Sequence, residues 1–168
     1  MIENISNLIT MSNALGKQIA YVQGGGGNTS LKMSHTEMFI KSSGKFLADI
    51  EDETGFLSVD WQLLKSKIQA CVSEQDYYTL LTESQHVEDK TRRPSIETGF
   101  HAILNKCTIH THSVWANLLT CSVEGKRLVR DIFPSAIWVS YATPGLALTQ
   151  AILKKLDNRQ DVTIFLQN

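Results

Sequence analysis

The stretch Cys107-Thr108-Ile109-His110-Thr111-His112 reads as a short strand that places two imidazoles two positions apart. Side chains at positions i and i+2 of a strand leave the same face of a sheet. His110 and His112 can therefore offer two neutral nitrogens to one metal ion, which is the arrangement that a zinc-type site needs. A solvated strand face with two polar residues is the alternative, because no CxxC or His-x3-His partner lies within a few residues.

Helical and strand patterns alternate irregularly on either side of this strand. Ser95 is a candidate N-cap for a helix to about residue 105, and Ser113 can cap a helix to about residue 120. The other predicted elements are a first amphipathic helix with Ile2, Ile5, Leu8, Ile9 and Leu15 on one face, strands at 31–34, 37–41, 137–141 and 162–166, and helices at 60–69 and 144–156. This order predicts an α/β fold with a mixed, mainly antiparallel sheet.

Composition indicates one domain and excludes some partners. The chain has 168 residues, enough for one substantial core, and no repeat or proline-rich linker divides residues 1–168. A formal net charge of −1 without a basic block argues against nucleic acid, and the absence of an apolar run of about 18 residues argues against a membrane. Cys71, Cys107 and Cys121 sit in apolar surroundings, as buried packing thiols do, and indicate a reducing, cytoplasmic location.

Three further groups of residues have the chemistry of a site. The run Gly24-Gly25-Gly26-Gly27-Asn28 can aim several backbone N–H groups at an anion, although such a run can also be only a turn. Ser42-Ser43-Gly44 offers hydroxyls and a flexible amide after a strand. Glu97 falls in the first turn of its predicted helix, where the helix dipole favours a carboxylate, and an ordinary helix-start acid is the alternative.

The order of these groups resembles the class II aldolase and adducin domain family. The matching stretches are Gly26-Gly27-Asn28-Thr29-Ser30, Phe39-Ile40-Lys41-Ser42-Ser43-Gly44, Pro94-Ser95-Ile96-Glu97 with His101, and Ile109-His110-Thr111-His112-Ser113. The resemblance implies a three-layer α/β/α fold with a mixed, mainly antiparallel central sheet. It also implies a homotetramer that acts on a small sugar or sugar phosphate.

The same resemblance implies roles for individual residues. His110 and His112 would bind a divalent metal, with zinc expected, and Glu97 would be the catalytic acid/base. Gly27, Asn28, Ser43, Gly44 and Ser95 would contact the substrate or its phosphate. His101 matches the family pattern too, and we interpret it as structural. The expected reaction is aldol cleavage of a ketose or ketose phosphate through a metal-stabilised enediolate, which makes the protein a carbon–carbon lyase.

The chain departs from the family pattern at two points. Family members usually supply a third histidine in a strand that ends Asn-His-Gly, and this sequence ends at Gln167-Asn168, where that histidine would come next. We therefore expect the domain to be truncated at its C-terminus. Ile96 stands where sugar-phosphate members often have a second serine, which removes one hydroxyl donor from the expected phosphate site.

Other functions on the same scaffold remain open. The epimerases of the family tend to have aspartate where this chain has Glu97, the residue type of the aldolases, and this favours aldol cleavage. Epimerase or dehydratase chemistry on a related sugar phosphate is the enzymatic alternative. A non-catalytic adducin-like interaction domain is the alternative of another class, and the presence of Glu97, His110 and His112 argues against it.

Overall fold

The computed structural model describes residues 4–86, 92–157, 159 and 161–168. The strands in these ranges are β1 (Asn28–Lys32), β2 (Glu37–Lys41), β3 (Phe56–Asp60), β4 (Cys107–His110), β5 (Ile137–Val139) and β6 (Ile164–Leu166). The α-helices are α1 (Ile5–Gly16), α2 (Trp61–Lys67), α3 (Glu74–Glu83), α4 (Thr98–Ile103), α5 (Val114–Thr120), α6 (Gly125–Ile132) and α7 (Leu146–Leu156).

Local capping explains where several helices begin. Asp60 accepts a hydrogen bond from the Leu63 amide at 2.9 Å and starts α2, as the sequence predicts. Ser73 and Asp76 form a reciprocal capping box at the start of α3. Helix α5 also begins where it was predicted, but its N-cap residue Ser113 makes no side-chain capping bond.

The strands form two sheets. The larger sheet has the order β3-β2-β1-β4 with antiparallel pairing throughout, and the smaller sheet pairs β5 with β6 in parallel. The predicted mainly antiparallel α/β fold is therefore confirmed. Within the described ranges, neither β4 nor β6 pairs with a further strand on its far side, so both keep an open edge.

Helix α4 lies at the centre of the larger hydrophobic core. All six of its residues are buried, and α2 and α7 pack against it. Tyr77 of α3 and Ile152 of α7 are among the fully buried side chains of this core. A smaller core under α1 contains Leu8, Leu31 and Phe56. Glu97 directly precedes this buried helix, so the core packing of α4 fixes the backbone beside Glu97.

The structure corrects two boundaries near the site. Strand β1 begins at Asn28 and not at Leu31, because Asn28 to Leu31 pair with β4. Glu97 lies just before α4 as its N-cap and not in its first turn. The Glu97 amide donates to the Ser95 hydroxyl at 3.2 Å, which holds this segment in a turn ahead of the helix.

Other differences lie farther from the site. Strand β3 and helices α3 and α6 have no counterpart among the predicted elements. Cys71 is buried and Cys107 half-buried, but Cys121 directly follows α5 and is exposed, so its interpretation as a packing thiol was wrong. In the part of the chain that the structure describes, no helix has the length and apolar character needed to span a membrane.

Candidate active site

The side chains of His110 and His112 come together at their Nε2 atoms. Strand β4 ends at His110, and His112 follows it in the connection to α5. Their Nε2 atoms are 2.9 Å apart, and their rings meet edge to face with centroids 5.0 Å apart. Two imidazole nitrogens thus face the same small volume.

His110 is the more enclosed member of the pair. Its side chain is 12 % exposed, and the Phe100 ring lies 5.5 Å away between centroids. Burial lowers the pKa of His110, although the neighbouring Glu97 carboxylate acts in the opposite direction. Neutral imidazole is the form that binds metal ions, so the environment of His110 favours a ligand over a cation.

Glu97 completes the cluster from the other side. Its Oε1 lies 3.8 Å from His110 Nε2, and its Oε2 accepts a hydrogen bond from the Asn28 side-chain amide. The same amide nitrogen of Asn28 is 3.4 Å from the Ser95 hydroxyl. Asn28 Oδ1 is buried and has no partner within the described ranges. Asn28, Ser95, Glu97 and His110 are therefore one connected group with one free acceptor.

The glycine run passes directly beside the two histidines. A Cβ on Gly26 would lie 2.9 Å from His112 Nδ1, and a Cβ on Gly27 would lie 2.9 Å from the His110 carbonyl oxygen. Gly27 also has a φ of +74°, which side chains rarely adopt. Both positions thus need glycine for close approach, and Gly27 in particular contacts the backbone of β4.

Ser43 and Gly44 lie at the border of this group. The Ser43 amide donates to the Arg93 carbonyl at 3.1 Å, and Ser42 forms an isolated bridge with Pro94. Gly44 has a φ of +80° with open space beside it. Among the described residues, no hydrogen bond links Ser43 or Gly44 to Glu97 or to either histidine. The Ser-Gly turn is thus placed beside the segment leading to Glu97, without direct contact.

Lys41 is a neighbour of the site that the sequence reasoning did not single out. It is 3 % exposed, and its Nζ donates to the Lys45 carbonyl at 2.7 Å. Burial lowers the pKa of Lys41, while the charge of Glu97 acts to raise it. Lys41 follows apolar residues at the end of a predicted strand, and a lysine in such a place can indicate a functional role because lysine is seldom buried without a partner.

A cavity of about 680 Å³ opens in front of these residues. Glu97, His110 and His112 line this cavity together with residues 161–168 of the β6 segment. The open edges of β4 and β6 thus border the same space. Its size lies within the range of about 300–1,000 Å³ that small-molecule sites occupy.

The donor set fits part of a metal site. Within the described ranges, no group of three or more His, Cys, Asp or Glu side chains is arranged to hold a metal ion. The two converging imidazoles nevertheless supply two nitrogen ligands of the type that zinc and similar divalent ions prefer. A catalytic site of this kind leaves other positions for further ligands and substrate.

Known proteins resemble this chain in sequence. An uncharacterized oxidoreductase of Bacillus subtilis (strain 168), YuxG, is 28 % identical over 176 residues, covering 98 % of this chain and 25 % of its own length. A methylthioribulose-1-phosphate dehydratase of Pectobacterium atrosepticum is 28 % identical over 148 residues, covering 84 % and 60 %. The chain thus spans about a quarter and about three fifths of these two relatives.

Solved structures share the fold. The N-terminal class II aldolase domain of a conserved protein from Thermoplasma acidophilum superposes with a TM-score of 0.86 at 22 % identity, over 99 % of this chain and 81 % of that one. An L-fuculose 1-phosphate aldolase superposes with a TM-score of 0.56 at 21 % identity, over 97 % and 72 %. The family model "Class II Aldolase and Adducin N-terminal domain" matches residues 6–168. This chain therefore belongs to the class II aldolase and adducin N-terminal domain family.

Proposed function

We propose that this chain forms the catalytic domain of a metal-dependent aldolase that cleaves a ketose or ketose phosphate. The observation that supports this best is the convergence of His110 and His112, 2.9 Å apart at Nε2, beside the Glu97 carboxylate. The two imidazoles, which lie within hydrogen-bond distance of each other, and the carboxylate all line the cavity, where a ligand can reach them.

In this proposal His110 and His112 hold a divalent cation, with zinc as the first candidate. When bound, the cation would act as a Lewis acid on the substrate's carbonyl oxygen and its neighbouring hydroxyl oxygen. The low pKa of His110 keeps its imidazole neutral and ready to bind. The glycine run contributes by leaving room for His112, whose Nδ1 would meet any side chain at Gly26.

Glu97 moves the proton. In the cleavage direction the hydroxyl of the departing fragment gives its proton to solvent and becomes an aldehyde, and Glu97 donates a proton to the substrate carbon that loses its bonding partner. In the synthetic direction both proton movements reverse. The Asn28 amide, by donating to Oε2, fixes the carboxylate and leaves Oε1 on the side of His110. Because Glu97 and His110 are 18 % and 12 % exposed, the proton transfer takes place in a partly desolvated corner of the cavity.

Substrate contacts are proposed for Gly27, Asn28, Ser43, Gly44 and Ser95. Asn28 is the best supported of these, because its side-chain amide donates to Glu97; its Oδ1 is buried, and none of the five residues is among those that line the cavity of about 680 Å³. Gly27 lies beside the His110 carbonyl, and we propose that its backbone N–H contacts the substrate. Ile96 lacks the hydroxyl expected for phosphate, so an unphosphorylated or differently phosphorylated sugar fits the proposal as well.

A dehydratase is the second candidate function. The supporting observation is the 28 % identity over 84 % of this chain to a methylthioribulose-1-phosphate dehydratase. Proton transfer next to a metal-polarised carbonyl serves both reactions, so Glu97, His110 and His112 would keep their roles. Our proposal also includes a three-layer α/β/α arrangement, a homotetramer and a cytoplasmic location, all of which rest on the sequence reasoning.

The test begins with metal content per chain, measured by elemental mass spectrometry on protein from the complete reading frame. Zinc at about one ion per chain, lost in His112→Ala, supports the metal site. Cleavage of L-fuculose 1-phosphate and related ketose phosphates is then followed beside water loss from methylthioribulose 1-phosphate. Water loss alone would replace the aldolase by the dehydratase. No metal in either protein would favour the interaction domain.

A further inference from the structure

One hydroxyl group from another helix contacts the turn that presents Glu97 on both sides of that residue. Tyr77 of α3 is completely buried, and its Oη donates a hydrogen bond to the Ile96 carbonyl at 2.7 Å. The same oxygen accepts a hydrogen bond from the Gly99 amide at 3.0 Å. These two contacts lie on either side of Glu97 in the chain, so the hydroxyl spans the residue without touching its carboxylate.

The Tyr77 hydroxyl supplies a hydrogen-bond acceptor that the N-cap side chain of α4 does not supply. The amides of a helix's first turn need acceptors, and the side chain of the N-cap residue commonly supplies one. Glu97 is the N-cap of α4 but makes no such bond. Its carboxylate instead faces Asn28 and His110. The Tyr77 hydroxyl accepts from the first-turn amide of Gly99 in its place.

We propose that Tyr77 is a positioning residue for Glu97, which caps α4 so that the carboxylate stays free for chemistry. The proposal rests on the proposed role of Glu97 as the acid/base. Tyr77 does not face the cavity or the substrate, and it acts only through the backbone on both sides of Glu97. Burial raises the pKa of Tyr77 to about 12, so its hydroxyl keeps the proton that it donates to Ile96.

Gly99 makes this contact possible. A Cβ at Gly99 would overlap the Tyr77 hydroxyl and would lie 2.7 Å from Ile68 Cδ1. A residue with a side chain would therefore push α3 and α4 apart at the level of Glu97. The hydroxyl of Tyr77 therefore occupies the space that a side chain at position 99 would need, and only glycine fits opposite it.

The decisive variant is Tyr77→Phe, which removes only the hydroxyl. Tyr78→Phe is the matched control, because Tyr78 is the next residue of the same helix and is 47 % exposed. We expect Tyr77→Phe to lower kcat by about tenfold to a hundredfold with KM and metal content unchanged, since small displacements of a catalytic group cost this much. Tyr78→Phe should match the wild type. Equal kcat in all three proteins would overturn the proposal.

A measurement without substrate separates this proposal from the proposed function. In NMR spectra of protein with labelled carboxyl carbons, Tyr77→Phe should shift the Glu97 signal, and the Asn28 side-chain amide signals should move with it. This result would support positioning even if the wild type showed no aldolase activity. Unchanged Glu97 and Asn28 signals would overturn the proposal, whatever the protein catalyses.

The wild type itself offers a third measurement in case Tyr77→Phe does not fold. The Gly99 amide should exchange with solvent deuterium as slowly as amides inside α4, because it donates to Tyr77. Exchange at the rate of an unprotected amide would show that the hydroxyl does not cap the helix, and would overturn the proposal.

Discussion

Asn28 and His110 stand opposite each other in the register of the antiparallel β1 and β4 pair. The side-chain amide of Asn28 also donates to Glu97, so one residue links the strand pair to the start of α4. The alignment of the acid with the histidines therefore depends on strand register. A slip of one position would turn Asn28 to the other face of the sheet and break the connection.

Glu97→Gln should abolish turnover and leave the histidine pair intact. Glutamine has nearly the same shape and can accept from Asn28, but it cannot exchange a proton with the substrate carbon. We expect kcat to fall by about 10²- to 10⁴-fold while metal content stays unchanged. Glu83→Gln, at the exposed end of α3, is the control and should retain full activity. A Glu97→Gln enzyme of near-normal rate would remove Glu97 from the mechanism.

Asn28→Asp should change the pH dependence of activity. The new carboxylate would lie beside Glu97, and two close carboxylates raise the pKa of one of them. The acid limb of the pH–rate profile should therefore move to higher pH by about one unit or more. Asn28→Ala removes the same hydrogen bond without adding a charge and should lower the rate without this displacement. Identical profiles for the two variants would show that charge at this position is unimportant.

Gly26→Ala should weaken the metal site without unfolding the protein. Its Cβ would lie 2.9 Å from His112 Nδ1, so the imidazole has to move. Displaced ligands typically cost about 10- to 100-fold in metal affinity, which competition with a chelator measures. Gly25→Ala is a close control, because its Cβ would make only an ordinary contact with the Phe46 ring at 3.6 Å. Equal affinities in both variants would place His112 outside the ligand set.

Lys32 should make the stability of the protein rise in alkaline solution. Its amine is buried, donates to the Ala102 carbonyl at 2.8 Å and to the Leu104 carbonyl, and lies over the Trp61 ring. Burial lowers its pKa from 10.5 to about 8, so between these values the unfolded chain binds more protons than the folded one. The free energy of unfolding should therefore rise with pH, by up to about 3 kcal/mol.

Urea unfolding of the wild type and Lys32→Met between pH 7 and pH 10.5 tests this sign. The other groups titrate in both proteins, so their contributions cancel in the difference. The wild type should gain stability relative to the variant as the pH rises from about 8. A constant difference across this range would show that the Lys32 amine titrates normally in the folded protein.

The sequence predicted the parts of the site that depend on local patterns. Asp60 was found as a helix cap because its side chain acts within one turn. His110 and His112 were singled out because the pattern predicts a strand through His112, but β4 ends at His110 and His112 lies beyond it. The structure also buries His101 completely and pairs its Nδ1 with the Ser30 hydroxyl at 2.7 Å, in keeping with a structural residue.

The missed features depend on contacts between distant segments. Asn28 was assigned to a turn because glycines precede it, and only its pairing with His110 extends β1 to this position. The role of Tyr77 could not be predicted, because nothing near it in the sequence indicates that its hydroxyl reaches Ile96. The contacts of Lys41 were likewise not predicted, since its Nζ donates to the Lys45 carbonyl and to the carbonyl of Gly25, 16 residues away.

The open edges of β4 and β6 affect how readily the protein aggregates. Strand edges with unpaired backbone groups act as templates on which other extended chains can add, which is a common start of aggregation. Here the two open edges of the described chain border the cavity that contains Glu97 and the histidines. A foreign strand that added to either edge would narrow access to Glu97 and the histidines, so we expect self-association to hinder any small molecule that binds in this cavity.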